Sequence, residues 1–205
     1  MAKPEFIARQ SAHPTGLFGH LVARVMAFDT AGANRRLLQR LDPKPGEAIL
    51  ELGCGHGRTL RQVSAKNAPG LAAGVDPSGV MLRVARGHLR RGLASGQVRV
   101  AEGDAAHIPH ADESFDKAFT VHTLYFWVDL RAGFQELHRV LRPGGELILG
   151  FHDGADPALH EELPDSVYTL HTAEEVAAAL EAEGFHDITS AIDEKTGLTF
   201  AHARR

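Results

Sequence analysis

Ala48-Ile-Leu-Glu51-Leu-Gly53-Cys-Gly55-His-Gly57 is the stretch from which the rest of this 205-residue chain can be read. Ala48, Ile49, Leu50 and Leu52 form a short apolar run suited to a strand covered on both faces. Glycine then recurs at every second position, Gly53, Gly55 and Gly57. Glycine reaches positive φ without a steric cost and lets a ligand lie against bare main chain. A helix is predicted from about Arg58, its free N–H groups and positive dipole end facing the turn. Strand, glycine turn and helix in this order make a cradle for a nucleotide-like ligand.

Spacing narrows the ligand. A dinucleotide fold uses G-x-G-x-x-G, its third glycine allowing helix and strand to pack closely. Gly53 and Gly55 fit that pattern, but its third position is Arg58, and no Tyr-x-x-x-Lys follows, which disfavours a nicotinamide-dependent oxidoreductase. The pattern present is E-x-G-x-G-x-G, and alone it is also compatible with a tight structural turn.

The companions further along decide. Leu71-Ala-Ala-Gly-Val75 is a second short strand ending at Asp76, which lies 21 residues beyond Gly55. An acid at that place can accept from both ribose hydroxyls of an adenosine; as a bland alternative it caps the helix opened by Pro77-Ser78. That helix carries Val80, Met81, Val84 and Leu89. Gln97–Ala101 alternates as a third strand and leads into Glu102-Gly103-Asp104-Ala105. An acid there can accept from an adenine amine while the next N–H donates to a ring nitrogen. Lys117–Val121 reads as strand four and opens into His122-Thr-Leu-Tyr125-Phe-Trp127, aromatic residues that serve equally as core or as the wall of a reacting pocket.

The flanks follow the same logic. Residues 1–16 read as an arm, and Leu17 to about Phe28 as an amphipathic helix that either packs on the core or lies as a lid over the site, with Phe18 a candidate pocket residue. Residues 1–33 are therefore separated from a domain at 34–205, whose first helix runs near Asn34–Leu41. After strand four a helix bearing Phe134, Leu137, Val140 and Leu141 stops at Arg142-Pro-Gly-Gly145, and strand five runs from Glu146 to Phe151. Residues 152–170 read as loop or short helices, and Thr172-Ala-Glu-Glu175 as a capping box for a helix to about Ala182. Two strands near His186–Ile192 and Thr196–His202 close the chain as a hairpin. Strands alternating with helices predict a doubly wound α/β sheet whose ligand sits at the strands' carboxyl ends, where the glycine turn, Asp76, Asp104 and His122 all fall.

Composition excludes several classes. Net charge is −4, so no global field attracts nucleic acid or an anionic membrane, and the cluster Arg83, Arg86, Arg90, Arg91 reads as a solvated helix face. Cys54 is the only cysteine, which rules out an intrachain disulfide, and its place in the turn suits a small residue chosen for fit. His107-Ile-Pro-His110 has no further ligands nearby, so no metal site is expected. The amino terminus lacks a signal-peptide core, and no apolar run approaches the roughly 20 residues of a membrane span, so the cytoplasm is the expected compartment.

Taken as a set, E-L-G-C-G-H-G, V-D-P-S, E-G-D-A, S-F-D, H-T-L-Y-F-W and R-V-L-R-P-G-G-E-L resemble the class I S-adenosylmethionine-dependent methyltransferases, in particular the ubiquinone/menaquinone-biosynthesis type and its small-molecule relatives. The resemblance spans about residues 35–205 and implies a mostly parallel seven-stranded sheet, Rossmann-like, with an antiparallel last strand. It also implies S-adenosyl-L-methionine as cofactor: Glu51 with Gly53, Cys54, Gly55 and Gly57 on the methionine part, Asp76 and Pro77 on the ribose, and Gly103, Asp104 and Ala105 on the adenine. Met81 would pack near the base, and Thr120, Val121 and His122 would border the methionyl end. The pocket of the acceptor, a small molecule, would come from the segments of least resemblance, the first helix, the 122–127 loop and residues 152–170, with Phe18, His122, Tyr125 and Trp127 as candidates. In-line transfer needs a base only if the acceptor must lose a proton; His122 and Tyr125 are the nearest candidates and neither is assigned. A methyltransferase-like binding protein without turnover remains a second reading.

Overall fold

The computed structural model describes residues 31–205. The expected arm, the helix at 17–28 and Phe18 lie outside the described residues.

The described chain runs α1 (Ala31–Leu41), β1 (Ile49–Leu52), α2 (Arg58–Asn67), β2 (Ala72–Asp76), α3 (Gly79–His88), α4 (Arg90–Ser95), β3 (Val98–Glu102) and β4 (Phe115–Val121). A 3-10 turn at Leu124–Phe126 follows, then α5 (Leu130–Val140), β5 (Leu141–Phe151), α6 (Pro157–Glu162), α7 (Ala173–Ala182), β6 (His186–Asp193) and β7 (Leu198–Arg204). The strands form one seven-stranded sheet in the order β3-β2-β1-β4-β5-β7-β6. β1 to β5 pair in parallel, and β7 inserts antiparallel between β5 and β6. The doubly wound sheet and its antiparallel closing strand are thus both present.

Alternation along the strands builds a core on each face. Leu50, Leu52, Phe115, Ala118, Leu147 and Leu149 point to the side covered by Phe134 and Leu137 of α5 and Val176 and Leu180 of α7. Their neighbours Ile49, Phe119 and Ile148 point the other way, toward Leu37 and Leu41 of α1, Leu60 and Val63 of α2, and Ala85 of α3. Because both faces are covered, central strands such as Ile49–Leu52 are buried at every position. Buried Lys117 fastens the end of α1: its ammonium donates to the Leu41 and Asp42 carbonyls at 2.9 and 3.2 Å and lies 3.1 Å from Glu47.

Two elements depart from the sequence expectation. The helix after Pro77 breaks at Leu89, whose side chain drops into the space left by Gly57, and α4 resumes at Arg90. Strand five starts at Leu141 rather than Glu146. Leu141 pairs with Phe115 across a register shift, Gly144 takes φ +77°, and its N–H donates to the Arg205 carbonyl at 2.8 Å. The predicted stop at Arg142–Gly145 is therefore a bulged strand entry held by the chain's last residue. The capping box is formed as read: Thr172 Oγ1 accepts from the Glu175 N–H, and the Glu175 carboxylate accepts from the Thr172 N–H.

Candidate functional site

The glycine turn leaves β1 under strict backbone control. The Gly53 and Cys54 N–H groups both donate to the Val75 carbonyl, at 2.8 and 3.0 Å, which ties the turn to β2. Gly53, Gly55 and Gly57 all have positive φ, +78°, +51° and +75°. At Gly53 the lack of a side chain is also demanded by space, since a Cβ would lie 2.4 Å from Thr123 Cγ2. The Thr123 hydroxyl in turn contacts the hydroxyl of buried Thr120, so the end of β4 is pressed against the turn. Gly57 serves packing, because a Cβ there would meet Leu89 Cδ1 at 2.7 Å. Cys54 Sγ turns inward to lie over Gly74, and burial pushes its thiol well above its ordinary pKa, so it is no nucleophile.

Two carboxylates converge on this turn. Asp76, at the end of β2 and 7% exposed, accepts from the Gly55 N–H at 2.8 Å with one oxygen and from the Ser78 N–H at 2.9 Å with the other. It thereby orders both the turn and the start of α3, where the Ser78 hydroxyl caps the Met81 N–H. Met81 Cε comes within 3.5 Å of the Cβ position at Gly55, bringing the methionine against the turn. Glu51 is 7% exposed, and its Oε2 has no hydrogen-bond partner among the described residues. Burial first, and the charge of Asp76 second, hold the Glu51 carboxyl well above the usual range. An orphaned, buried carboxylate oxygen beside a glycine cradle is a site shaped for a cation.

The other predicted residues gather at the same ends of the strands. The Gly103 N–H donates to the Asp76 carbonyl at 3.3 Å, joining the exits of β2 and β3. Asp104 is exposed and accepts from the Ala106 and His107 N–H groups, both at 2.9 Å, which shapes the turn that carries Ala105. Pro77 is exposed next to Asp76. Val121 and Thr120 end β4, and His122 follows with φ +59°, an unusual conformation for a residue with a side chain, its N–H donating to the Gly150 carbonyl at 2.9 Å.

Tyr125 and Trp127 fall in the core. Trp127 packs edge-on against Phe134, its centroid 5.4 Å away, over Gly133 and close to Ala105. The Tyr125 hydroxyl accepts from the His152 N–H at 2.6 Å, and burial raises its pKa, so the phenol stays protonated at neutral pH. His152, which the sequence marks only as the start of the pocket segment 152–170, follows β5 with its ring 5.5 Å from that of His122. Its signal was available: it is the first polar residue after the apolar run Leu147–Phe151, the same cue that marked Asp76. Thr123 belongs to the wall that the sequence marks at 122–127 and Tyr168 to the pocket segment 152–170, but their contacts could not be read there; Tyr168 reaches the site's aromatic group through tertiary packing, its ring 5.2 Å from Phe126. His110 lies edge-on to Phe115 at 5.0 Å with its pKa lowered by burial, and no cluster of three or more metal-ligating side chains occurs among the described residues.

Residues 50–149 match a family model described as a methyltransferase domain. The chain is 33% identical over 173 residues to a demethylmenaquinone methyltransferase of Roseiflexus sp., covering 72% of this chain and 71% of that protein. It is 30% identical over 154 residues to an O-methyltransferase of Pyrenophora dematioidea, covering 74% of this chain but 55% of the other. Indeed the chain spans about half the length of several curated relatives it matches, 55%, 47% and 41%. In fold it is similar to a Thermotoga maritima S-adenosylmethionine-dependent methyltransferase described as a possible histamine N-methyltransferase, with TM-score 0.63, 24% identity and coverage of 90% and 91%.

Proposed function

Because the chain belongs to the class I S-adenosylmethionine-dependent methyltransferase family, we propose that it transfers a methyl group from S-adenosyl-L-methionine to a small molecule by in-line displacement. The observation that carries this reading is the buried Glu51 Oε2, without a hydrogen-bond partner among the described residues, beside Asp76 and the glycine turn. The cofactor supplies the reactivity when bound, as a methyl group activated on a sulfonium.

The chain's residues supply placement. Glu51 receives the ammonium of the methionine end, a cation that restores the ionised form which burial disfavours. Gly53, Gly55 and Gly57 present main chain along the methionine part, and the Asp76 carboxylate accepts from the ribose hydroxyls. Gly103, Asp104 and Ala105 frame the adenine, with Met81 on one side and Trp127 behind Ala105. Thr120, Val121 and His122 border the methionyl end, and the acceptor enters between His122 and His152, the latter held by Tyr125. Holding the acceptor in line with the methyl carbon provides most of the acceleration, because orientation alone removes several kcal/mol of barrier, on the order of 7 or more in the best cases. Protonated Tyr125 is unsuited to act as a base. The reaction is placed in the cytoplasm, in keeping with a lone, buried thiol.

Calorimetry with S-adenosylmethionine, S-adenosylhomocysteine and NAD is expected to show binding of the first two and not the third. Release of S-adenosylhomocysteine is then followed across a panel of phenols, amines and thiols. Binding of the cofactor without release on any acceptor supports the binding-protein reading; binding of NAD in its place sinks both.

A further inference from the structure

Charge is segregated along this molecule in a way that its net value hides. Residues 53–102, which span α2 to the end of β3, carry seven arginines and one lysine against two carboxylates, buried Asp76 and exposed Glu102. All eight cations are exposed, and the ion pairs among the described residues fall on other cations. They stand on α2, α3, α4 and edge strand β3. These form one continuous layer: Gly57 at the head of α2 seats Leu89, and Gly92 of α4 lies against Ser64 of α2 and Val98 of β3. Right-handed crossovers from β1 to β2 and from β2 to β3 place α2 and α3 on the same side of the sheet.

The opposite pole is acidic throughout. Residues 152–187 contain ten aspartates and glutamates and no lysine or arginine. Eight of the ten are exposed, among them Glu161, Glu162, Asp165 and Glu181. This segment covers α6 and α7 and opens β6, the strand at the far edge of the sheet from β3. Six strand spacings separate the two edges, roughly 29 Å. The Debye length is about 8 Å at physiological ionic strength, so within one molecule the poles scarcely feel each other. Among the described residues only Glu183 of the acidic segment has an arginine or lysine partner, Arg131 at 2.8 Å, so most of the charge on both poles is left to outside partners.

We infer that the arginine face of α2–α4 docks the acidic α6–α7 edge of a second copy of this chain, head to tail. The acidic edge is the surface of matching charge that the molecule itself carries, and arginine suits such contacts because its planar fork binds carboxylates with two donors. Exposed large apolar side chains occur at Val128 and Ile192, neither on the arginine layer, so the contact is electrostatic. It is therefore weak and salt-sensitive. The same lack of apolar or aromatic anchors on that face argues against insertion into a bilayer or stacking on single-stranded nucleic acid.

Sedimentation velocity on the full chain, from 5 to 200 μM (roughly the range where weak contacts populate), tests this at about 20 and 300 mM NaCl. The expected result is a weight-average mass that rises about twofold or more with concentration at low salt and stays monomeric at high salt. The triple variant Arg83→Gln, Arg86→Gln, Arg90→Gln and the triple variant Glu161→Gln, Glu162→Gln, Asp165→Asn are each expected to remain monomeric alone. Mixed, they are expected to form a capped one-to-one complex, because each retains the pole the other lacks. Circular dichroism verifies that both fold, and the two act on different elements, so loss of one does not end the test. A monomer at every concentration and salt overturns the proposal, as does association that survives both triple variants. Binding of duplex DNA or of phosphatidylglycerol vesicles by a chain that does not self-associate also overturns it, and assigns the face to that polyanion.

Discussion

The two halves of the crevice are built from different materials. Beneath β1, β2 and β3 the site is main chain and backbone-anchored carboxylate: three glycines at positive φ, amides returned to Val75, and Asp76 spanning Gly55 and Ser78. Beyond β4 and β5 it is side chain against side chain, with His122, Tyr125, His152 and Tyr168 drawn from segments up to 46 residues apart. A backbone cradle tolerates little change and suits a cofactor common to a family. A side-chain wall can be replaced residue by residue and suits a variable acceptor.

Substitutions break or sharpen that contrast. Gly53→Ala should do the most damage, since its Cβ meets Thr123 at 2.4 Å and its φ is +78°. Strain and overpacking together predict a loss of about 2–4 kcal/mol in urea unfolding. An unaltered midpoint would show that the turn is looser than drawn. Asp76→Ala is expected to weaken S-adenosylhomocysteine binding at least tenfold by calorimetry, leaving two ribose hydroxyls and two backbone amides without an acceptor. Unchanged affinity would refute the ribose assignment.

Glu51→Gln separates stability from binding. The folded Glu51 carboxyl has a pKa raised above its ordinary 4.5, so its contribution is complete below that value and is lost as pH rises through the folded pKa. Without cofactor, the variant should gain stability relative to the parent as pH rises above about 4.5. It should bind S-adenosylmethionine more weakly at the same pH. A stability difference that does not vary with pH would remove Glu51 from the account. Tyr125→Phe should have the smallest effect, about 1 kcal/mol of stability, because the half-buried His152 N–H loses its acceptor. Binding of S-adenosylhomocysteine should stay within about twofold of the parent, a change worth under 0.5 kcal/mol. A larger loss would mean that the two halves are coupled.

Both halves were legible to different degrees. Ile49–Leu52, Ala72–Asp76 and the glycine turn could be read because burial on both faces and positive φ each leave a local mark, an apolar run and a glycine. The capping box at Thr172 was legible for the same reason, both partners lying within one helical turn. Thr123 could be read as part of the wall after β4, but its contact with Gly53, 70 residues away, could not. Nor could the early start of β5, which depends on Phe115 and on the carboxyl-terminal Arg205.

The sequence by itself determined the alternation of strands and helices, the bare turn after β1 and the acids that end β2 and follow β3, since these rest on local conformation and short spacing. The tertiary structure alone decided that Glu51 keeps a buried oxygen with no partner among the described residues, that Tyr125 is a buried support for His152, and that opposite charges gather at opposite edges of the sheet. Those outcomes come from which distant segments the fold brings together, and burial and screening distance have no counterpart in the linear order of residues.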